Sequence, residues 1–173
     1  MAIFTQISQT VLGADTATIT FSSIPGTYTN LLLTFYARAD TVASEESVKM
    51  QFNSDTGANY HVQLLAGSGG TASAAEQLNQ SYIRLGKAPA ASATANYFGA
   101  SVSMIYSYAN TSFFKPVTTH LISVYAATTG TMDSELEVGH WRNTGAMTQI
   151  DITPVTATKK FKTGTTATLY GMP

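Results

Sequence analysis

The sequence predicts a single all-β domain, either a sandwich or a barrel, for three reasons. Apolar and polar residues alternate with a period of two along most of the chain, Thr is the most abundant polar residue, and Gly, Pro, Asn or Asp separates most of the alternating segments. Alternation is typical of strands with one face on a core, and Thr favours strands because it is branched at Cβ. Many short strands with regular turns are typical of sandwiches and barrels.

We predict about ten strands. Six of them alternate, namely residues 16–21, 47–52, 60–65, 98–106, 149–153 and 167–171. Two more segments, residues 30–37 and 117–127, are apolar or mixed on both faces, which suits central strands covered on both sides. Residues 80–86 and 132–143 complete the set.

Two segments rich in small residues interrupt this pattern. Residues 71–80 contain good helix formers and could form a turn or two of helix, but a long mobile loop over residues 67–77 is the preferred interpretation. Residues 87–96 are predicted as a second loop, because Pro89 argues against a helix.

The N-terminal segment is expected to differ from the rest of the chain. Residues 1–15 are predicted to form an arm with a first short strand, and residues 16–173 the β-sandwich domain. Within the arm, residues 2–12 could add a strand to the sheet of a neighbouring subunit.

The composition limits the classes of partner. Only 11% of the 173 residues are charged, against about 25% in an ordinary soluble domain, and the net charge is −1. No basic stripe is present to bind nucleic acid, and no apolar run is long enough for a membrane helix, so neither partner is expected. The absence of Cys excludes disulfides and thiolate metal sites. A weakly charged surface favours a protein that is part of an assembly, although an ordinary neutral domain explains the low charge equally well.

One segment resembles a calcium loop at first sight, because Asn53, Ser54, Asp55 and Asn59 surround Gly57. An EF-type loop needs Gly at position 6 and a bidentate Glu at position 12. Counted from Asn53, the Gly stands at position 5 and a leucine at position 12. The segment is therefore predicted to be a hairpin loop in which Asn and Asp shape the backbone and Gly57 takes a positive φ.

The histidines show no catalytic or metal-binding pattern. His61, His120 and His140 lie outside any His-Glu-x-x-His arrangement, and structural roles are expected for His61 and His140. The Gly-Ser-Gly at residues 66–70 does not match the Gly-x-Ser-x-Gly of a nucleophile elbow.

The acidic residues form two groups. Glu45 and Glu46 are adjacent, and Asp133, Glu135 and Glu137 alternate along one predicted strand. The second group is expected to form a solvated face or a charged edge that blocks sheet pairing. We therefore assign no catalytic, cofactor-binding or metal-binding residue, expect no cofactor, and predict that the protein is not an enzyme.

The single tryptophan, Trp141, has the opposite parity to Leu136 and Val138 in its strand. Either a bulge at Gly139 returns the ring to the core, which is the preferred explanation, or the ring is exposed. An exposed Trp could stack on a sugar ring, so Trp141 with nearby Tyr residues is the candidate glycan platform.

Four short sequence motifs, taken in their order along the chain, resemble those of small bacteriophage structural proteins. They are a Ser-x-Ile-Pro-x-x-Tyr turn within residues 18–38, Phe-Asn-x-Asp-x-x-x-Asn-Tyr within residues 50–61, Trp-x-Asn-Thr at residues 141–144, and a final Leu-Tyr-Gly within residues 166–171. The resemblance spans about residues 16–172.

The resemblance implies a jelly-roll β-sandwich located in a virion, on the capsid surface or in the tail. A non-enzymatic capsid decoration or cement protein is expected, with the major capsid protein or other virion proteins as partners and a homo-oligomer, expected to be a trimer. The alternative is a glycan-binding sandwich that contacts a host-surface glycan.

Overall fold

The computed structural model describes residues 4–125 and 132–173 and confirms the predicted all-β fold. The described residues form twelve strands and no helix. The strands are β1 (Thr5–Val11), β2 (Ile19–Phe21), β3 (Asn30–Ala37), β4 (Glu45–Phe52), β5 (Tyr60–Ser68), β6 (Thr71–Gln80), β7 (Ile83–Pro89), β8 (Gly99–Ile105), β9 (Lys115–Val124), β10 (Met132–Trp141), β11 (Ile150–Pro154) and β12 (Thr166–Met172).

The strands form two antiparallel sheets that pack face to face as a β-sandwich. The eight-stranded sheet has the order β1-β12-β3-β8-β9-β10-β5-β6, and the four-stranded sheet has the order β2-β11-β4-β7. Without β1, β8, β9 and β12, the neighbour order in both sheets is that of an eight-stranded jelly roll. The β8–β9 hairpin is inserted between β3 and β10, and β12 and β1 extend the sheet beyond β3.

The hydrophobic core lies between the sheets and follows the predicted alternation. In β4, Val48, Met50 and Phe52 are buried, and β3 buries Leu31 and every second residue after it. These two strands lie in different sheets, so their apolar faces meet across the sandwich.

The structure corrects the prediction for residues 67–80. This segment is neither a mobile loop nor a helical turn, because it completes β5 and forms β6, which pairs with β5 from Thr71 opposite Ser68 to Gln80 opposite Tyr60. The strand is exposed along nearly its whole length. Without a buried face, its Ala, Ser and Thr residues show no alternation from which a strand could be predicted.

The structure also places part of the expected N-terminal arm. Residues 5–11 form β1, which pairs with β12 of the same chain, with Gln9 opposite Thr168. In this structure the segment therefore extends its own sheet rather than that of a neighbour.

The second predicted loop is partly a strand and is held in place by one side chain. Its first residues belong to β7, which ends at Pro89. After that strand the Arg38 guanidinium donates hydrogen bonds of 2.9–3.0 Å to four backbone carbonyl oxygens. These belong to Ala90, Ala93, Thr94 and Tyr97. A loop of small residues thereby gains a fixed path from an arginine in a distant part of the sequence.

We expect Gly139→Ala to destabilise the protein by about 1–3 kcal/mol or more, the usual range for overpacking. A Cβ at Gly139 would lie 2.4 Å from the backbone oxygen of His61, so the β5–β10 ladder would have to open. Urea unfolding of the purified chain measures the loss.

Gly67→Ala is the matched control in the same ladder. Gly67 pairs with Ser134, and a Cβ there would meet only the Ser134 oxygen, at 4.0 Å. We expect this variant to be as stable as the wild type. Equal losses for both variants would show that the close approach at Gly139 is not the cause.

Candidate functional site

The segment that resembles a calcium loop is held together by Asp55. Its carboxylate accepts hydrogen bonds from Trp141 Nε1 at 2.7 Å, from the Gly57 backbone N–H at 2.8 Å and from Asn59 Nδ2 at 3.0 Å. Its backbone oxygen accepts a further bond from the Tyr60 hydroxyl at 3.0 Å. Burial opposes ionisation of Asp55, but these hydrogen bonds outweigh it and lower the pKa of the carboxyl. The oxygens that a cation would need are therefore engaged within the protein.

The prediction that Gly57 takes a positive φ is wrong. The residues with positive φ are Asn53 (50°) and Ser54 (56°), not Gly57. A Cβ at position 57 would lie 2.9 Å from Asn59 Nδ2 and 3.1 Å from Asp55 Oδ1, so these hydrogen-bonded side chains would have to shift.

Trp141 is buried, with 1% of its surface exposed. The ring reaches the core without the bulge at Gly139 that the sequence predicts. Strand β10 pairs with β5 and β9 without a register shift. The indole packs against Phe52 and stacks on Tyr60, with ring centroids 5.8 Å and 6.4 Å away. The preferred prediction that Trp141 is a core residue is confirmed, and the ring cannot form an exposed glycan platform.

The prediction for Asp133, Glu135 and Glu137 is wrong. These residues share the inward face of β10 with Trp141 and are 2%, 5% and 1% exposed, whereas Val138 faces outward. Strand β10 also lies between β9 and β5, so it is not an edge. The polarity of this strand is inverted, with acids inside and apolar residues outside.

The three acids meet two cations from β7 in a buried ionic cluster. Arg84 contacts Glu135 at 3.2 Å and Glu137 at 3.4 Å. Lys87 contacts Glu135 at 3.2 Å and forms a short ion pair with Asp133. Arg84 Nε lies near Glu137 Oε1 without hydrogen-bond alignment, and within the described residues neither Glu137 carboxylate oxygen has a hydrogen-bond partner.

The two adjacent glutamates predicted as a pair separate onto opposite faces of β4. Glu45 joins the ionic cluster, 3.4 Å from Lys87. Glu46 is buried and accepts hydrogen bonds from the Thr41 hydroxyl and from the Thr156 backbone N–H, the latter at 2.8 Å. Glu46 is therefore a structural residue, while Glu45 brings the cluster to four carboxylates against two cations.

Burial, with a smaller contribution from neighbouring acids, raises the pKa of two carboxyls in the cluster. Burial raises the pKa of Glu137 to about 8, with Arg84 opposing and Glu135 adding to the shift. Burial likewise raises the pKa of Glu45 to about 7, against the attraction of Lys87. Burial also opposes ionisation of Asp133, but its hydrogen bond with Lys87 prevails and lowers the pKa. The cluster therefore binds protons near neutral pH.

His61 and His140 are neighbours on the outer face of the eight-stranded sheet, with ring centroids 5.1 Å apart. They line a shallow groove of about 310 Å³ together with Gln63, Glu76 and Val138. Arg142 Nη1 lies 2.9 Å from His61 Nε2, and since a guanidinium only donates, that imidazole nitrogen accepts. The predicted structural role is thus consistent with the contacts of both histidines. His120 lies on the same face, two strands from β5.

The outer face of the eight-stranded sheet is the most distinctive surface of the described chain. Across the five adjacent strands β3, β8, β9, β10 and β5, none of the described outward-facing residues is Asp, Glu, Lys or Arg. Several are large, apolar and 40–53% exposed, namely Tyr36, Leu65, Val102, Ile122, Met132 and Val138. We call these five strands' outward side chains the outer face.

The strand register aligns these residues into rows. One row runs straight across the sheet through Thr34, Val102, His120, Leu136 and Leu65. The five strands of the outer face span roughly 24 Å at the usual spacing of about 4.8 Å, and its ten-residue strands β9 and β10 are about 33 Å long. This gives the outer face the dimensions of a standard protein–protein interface, which buries about 800 Å² per partner.

Comparison with known proteins adds no assignment, since no family model and no curated protein matches the chain. Within the described residues, no group of three or more His, Asp or Glu side chains is placed to hold a metal ion. No helix of the described structure is long and apolar enough to span a membrane.

We expect Asp55→Ala to lower the free energy of unfolding by about 2 kcal/mol, because the buried indole N–H and the loop would lose a charged acceptor. Chemical denaturation followed by Trp fluorescence measures the change, since Trp141 is the only tryptophan. Asp55→Asn keeps one acceptor oxygen and should recover part of the loss. If Asp55→Ala is as stable as the wild type, Asp55 does not organise the loop.

The ionic cluster predicts a pH dependence of stability that Glu137→Gln should reduce, with the contribution of Glu45 remaining. A carboxyl whose pKa is raised by folding contributes stability that is fully present below its ordinary pKa near 4.5 and is lost as the pH rises through about 8. Relative to Glu137→Gln, the wild type should therefore lose stability from pH 5 to pH 8, by at most about 1.4 kcal/mol per pH unit. Denaturant titrations at each pH give the difference.

The exposed Glu76→Gln is the control for this prediction and should follow the wild-type curve at every pH. If the curves for the wild type and Glu137→Gln run parallel across the range, Glu137 does not take up a proton on folding.

Proposed function

We propose that this protein is a non-enzymatic structural component of a bacteriophage virion, a capsid decoration or cement protein that binds between major capsid subunits. In this role the outer face of the eight-stranded sheet lies against neighbouring virion proteins. The particle, rather than a small molecule, is then the partner of the chain.

The observation that supports the proposal most is the outer face itself. Five adjacent strands present apolar and uncharged polar side chains to solvent, with Ile122 and Val102 exposed near its centre. Broad exposed apolar patches of this kind mark protein–protein contact sites in soluble proteins. The low overall charge of the chain is consistent with a surface that is covered in an assembly.

The four sequence motifs that resemble phage structural proteins contact one another in pairs in the folded chain. The Tyr28 ring of the first motif packs against Gly171 of the last, where a Cβ would come within 2.3 Å of the ring. Asp55 of the second motif accepts the hydrogen bond from Trp141 of the third. The four motifs thus form two contacting pairs within one fold.

The alternative of a glycan-binding sandwich required an exposed aromatic platform. Trp141 cannot serve, because its ring lies in the core between Phe52 and Tyr60. No other described contact favours a sugar, so we propose no second function.

Phage particles with and without the protein test the cement role. Particles that contain it should retain their DNA to a higher temperature, measured as dye fluorescence on genome release during heating. If particles that lack it release DNA at the same temperature, the cement role fails.

Two variants test whether the outer face makes the contact. Ile122→Lys places a charge on that face at a side chain that is already 45% exposed, so the chain should fold but bind particles poorly. Val42→Lys, at a loop residue outside both sheets that is 84% exposed, should bind as the wild type does. Equal binding by both variants, measured by co-sedimentation with particles, would place the contact elsewhere.

A further inference from the structure

The edges of the four-stranded sheet are protected against pairing with another chain. The edge strand β2 has only three residues. The other edge, β7, carries Arg84 and Lys87, ends in Pro89, and has a register shift against β4 next to Val48. Short strands, charges, prolines and bulges are the devices by which natural sheets avoid edge-to-edge association.

The eight-stranded sheet ends in an edge that lacks these devices. Strand β6 is ten residues long and contains no proline and a single charged residue, Glu76. Among the strands of residues 4–125 and 132–173 it pairs only with β5. Its one register shift lies beyond Gln77, so residues 71–77 form an uninterrupted and exposed edge. The opposite edge, β1, is shorter and is interrupted between Gln6 and Ser8.

We propose that β6 pairs with β6 of a second copy of this chain, antiparallel and across a two-fold axis. With Ala74 on the axis, the whole regular stretch is used, since Thr71 then faces the second copy's Gln77 and Ala72 faces the second copy's Glu76. No like charges stand directly opposite each other, and the free N–H and C=O groups of both edges are satisfied.

The chemistry of the edge favours a second copy over an unrelated chain. Ala72, Ser73, Ala74 and Ala75 have side chains too small to select a foreign sequence, so recognition rests on the backbone, and an antiparallel edge is complementary to itself. An isologous contact also closes on itself, whereas a repeated contact between different edges can extend into filaments.

The pairing would join the outer faces of the two copies. Ala74 lies opposite Leu65 at the end of the row that crosses the outer face, so the row would continue through the second copy's Ala74 to its Leu65. The two sheets would form one sheet of sixteen strands. This two-fold pair differs from the trimer implied by the resemblance, because three-fold symmetry cannot place a strand against its own copy.

Single cysteines test the pairing directly, because the chain contains none. At the axis, Ala74→Cys would face its own copy at a Cα separation of about 4.5–5.5 Å, within the range that a disulfide spans. We expect most of the purified Ala74→Cys chain to become a covalent dimer on mild oxidation. Leu78→Cys, on the same exposed strand but four residues from the axis, should remain monomeric on a non-reducing gel. Equal cross-linking of the two variants, or none, overturns the proposal.

A charge-exchange experiment provides a second readout in solution. The wild type should have the mass of a dimer by light scattering. Ala74→Lys should be monomeric and folded, with the far-UV circular dichroism spectrum of the wild type, because the residue is exposed and its bonds to β5 involve only the backbone. Its melting temperature should not depend on protein concentration, whereas that of the dimeric wild type should. Mixing Ala74→Lys with Ala74→Asp should restore a dimer. A wild-type chain that is monomeric at every concentration, or trimeric, contradicts the proposal. Since these experiments use the purified chain without particles, their failure is distinct from failure of the cement role.

Discussion

The hydrogen bond from the buried Trp141 indole to Asp55 is the contact on which the architecture depends. Trp141 lies in the eight-stranded sheet and packs on Phe52 of the four-stranded sheet, so its ring joins the two layers. An indole N–H buried without a partner would cost roughly 1–3 kcal/mol. Asp55 removes that cost and also fixes the loop between β4 and β5, since the Tyr60 hydroxyl donates to its backbone oxygen. One carboxylate therefore couples a turn, a core aromatic and the packing of both sheets.

Because Trp141 points into the core, its position determines which side chains of β10 point inward and which point to solvent. Side chains alternate along a strand, so the residues that share the parity of Trp141 must also point inward, including Glu137 and Glu135. Burying acids is costly unless they are paired, and Arg84 of β7 supplies part of the pairing. The same constraint turns Val138 and its neighbours outward. The contribution of β10 to the uncharged outer face and its contribution to the buried ionic cluster are therefore two results of a single strand orientation.

Much of the fold could be predicted from the sequence where burial imposed a pattern. Residues 30–37 are predicted as a strand and form β3 with the same bounds. The prediction that this segment and residues 117–127 are covered on both sides is wrong for the described part, since Tyr36 and Ile122 on the outer face are 48% and 45% exposed. Residues 71–80 form β6 but have no buried face, so nothing in the sequence distinguishes that strand from a loop. The candidate site was not predicted for a related reason. The outer face is assembled from strands far apart in sequence, and only the register places Val102 beside His120.

The sequence by itself determined the period of most strands, the positions of most turns and the lack of charge, because each depends on residues adjacent in the chain. It also indicated that residues 53–59 form a turn rather than a calcium site, since ligand spacing can be counted along the chain. Only the tertiary structure decided that Asp55 meets Trp141 across 86 positions, that the β10 acids face Arg84 and Lys87, and which edges stay open. The physical reason is that alternation shows that a strand has two faces, but the partner packed against each face decides which one is buried.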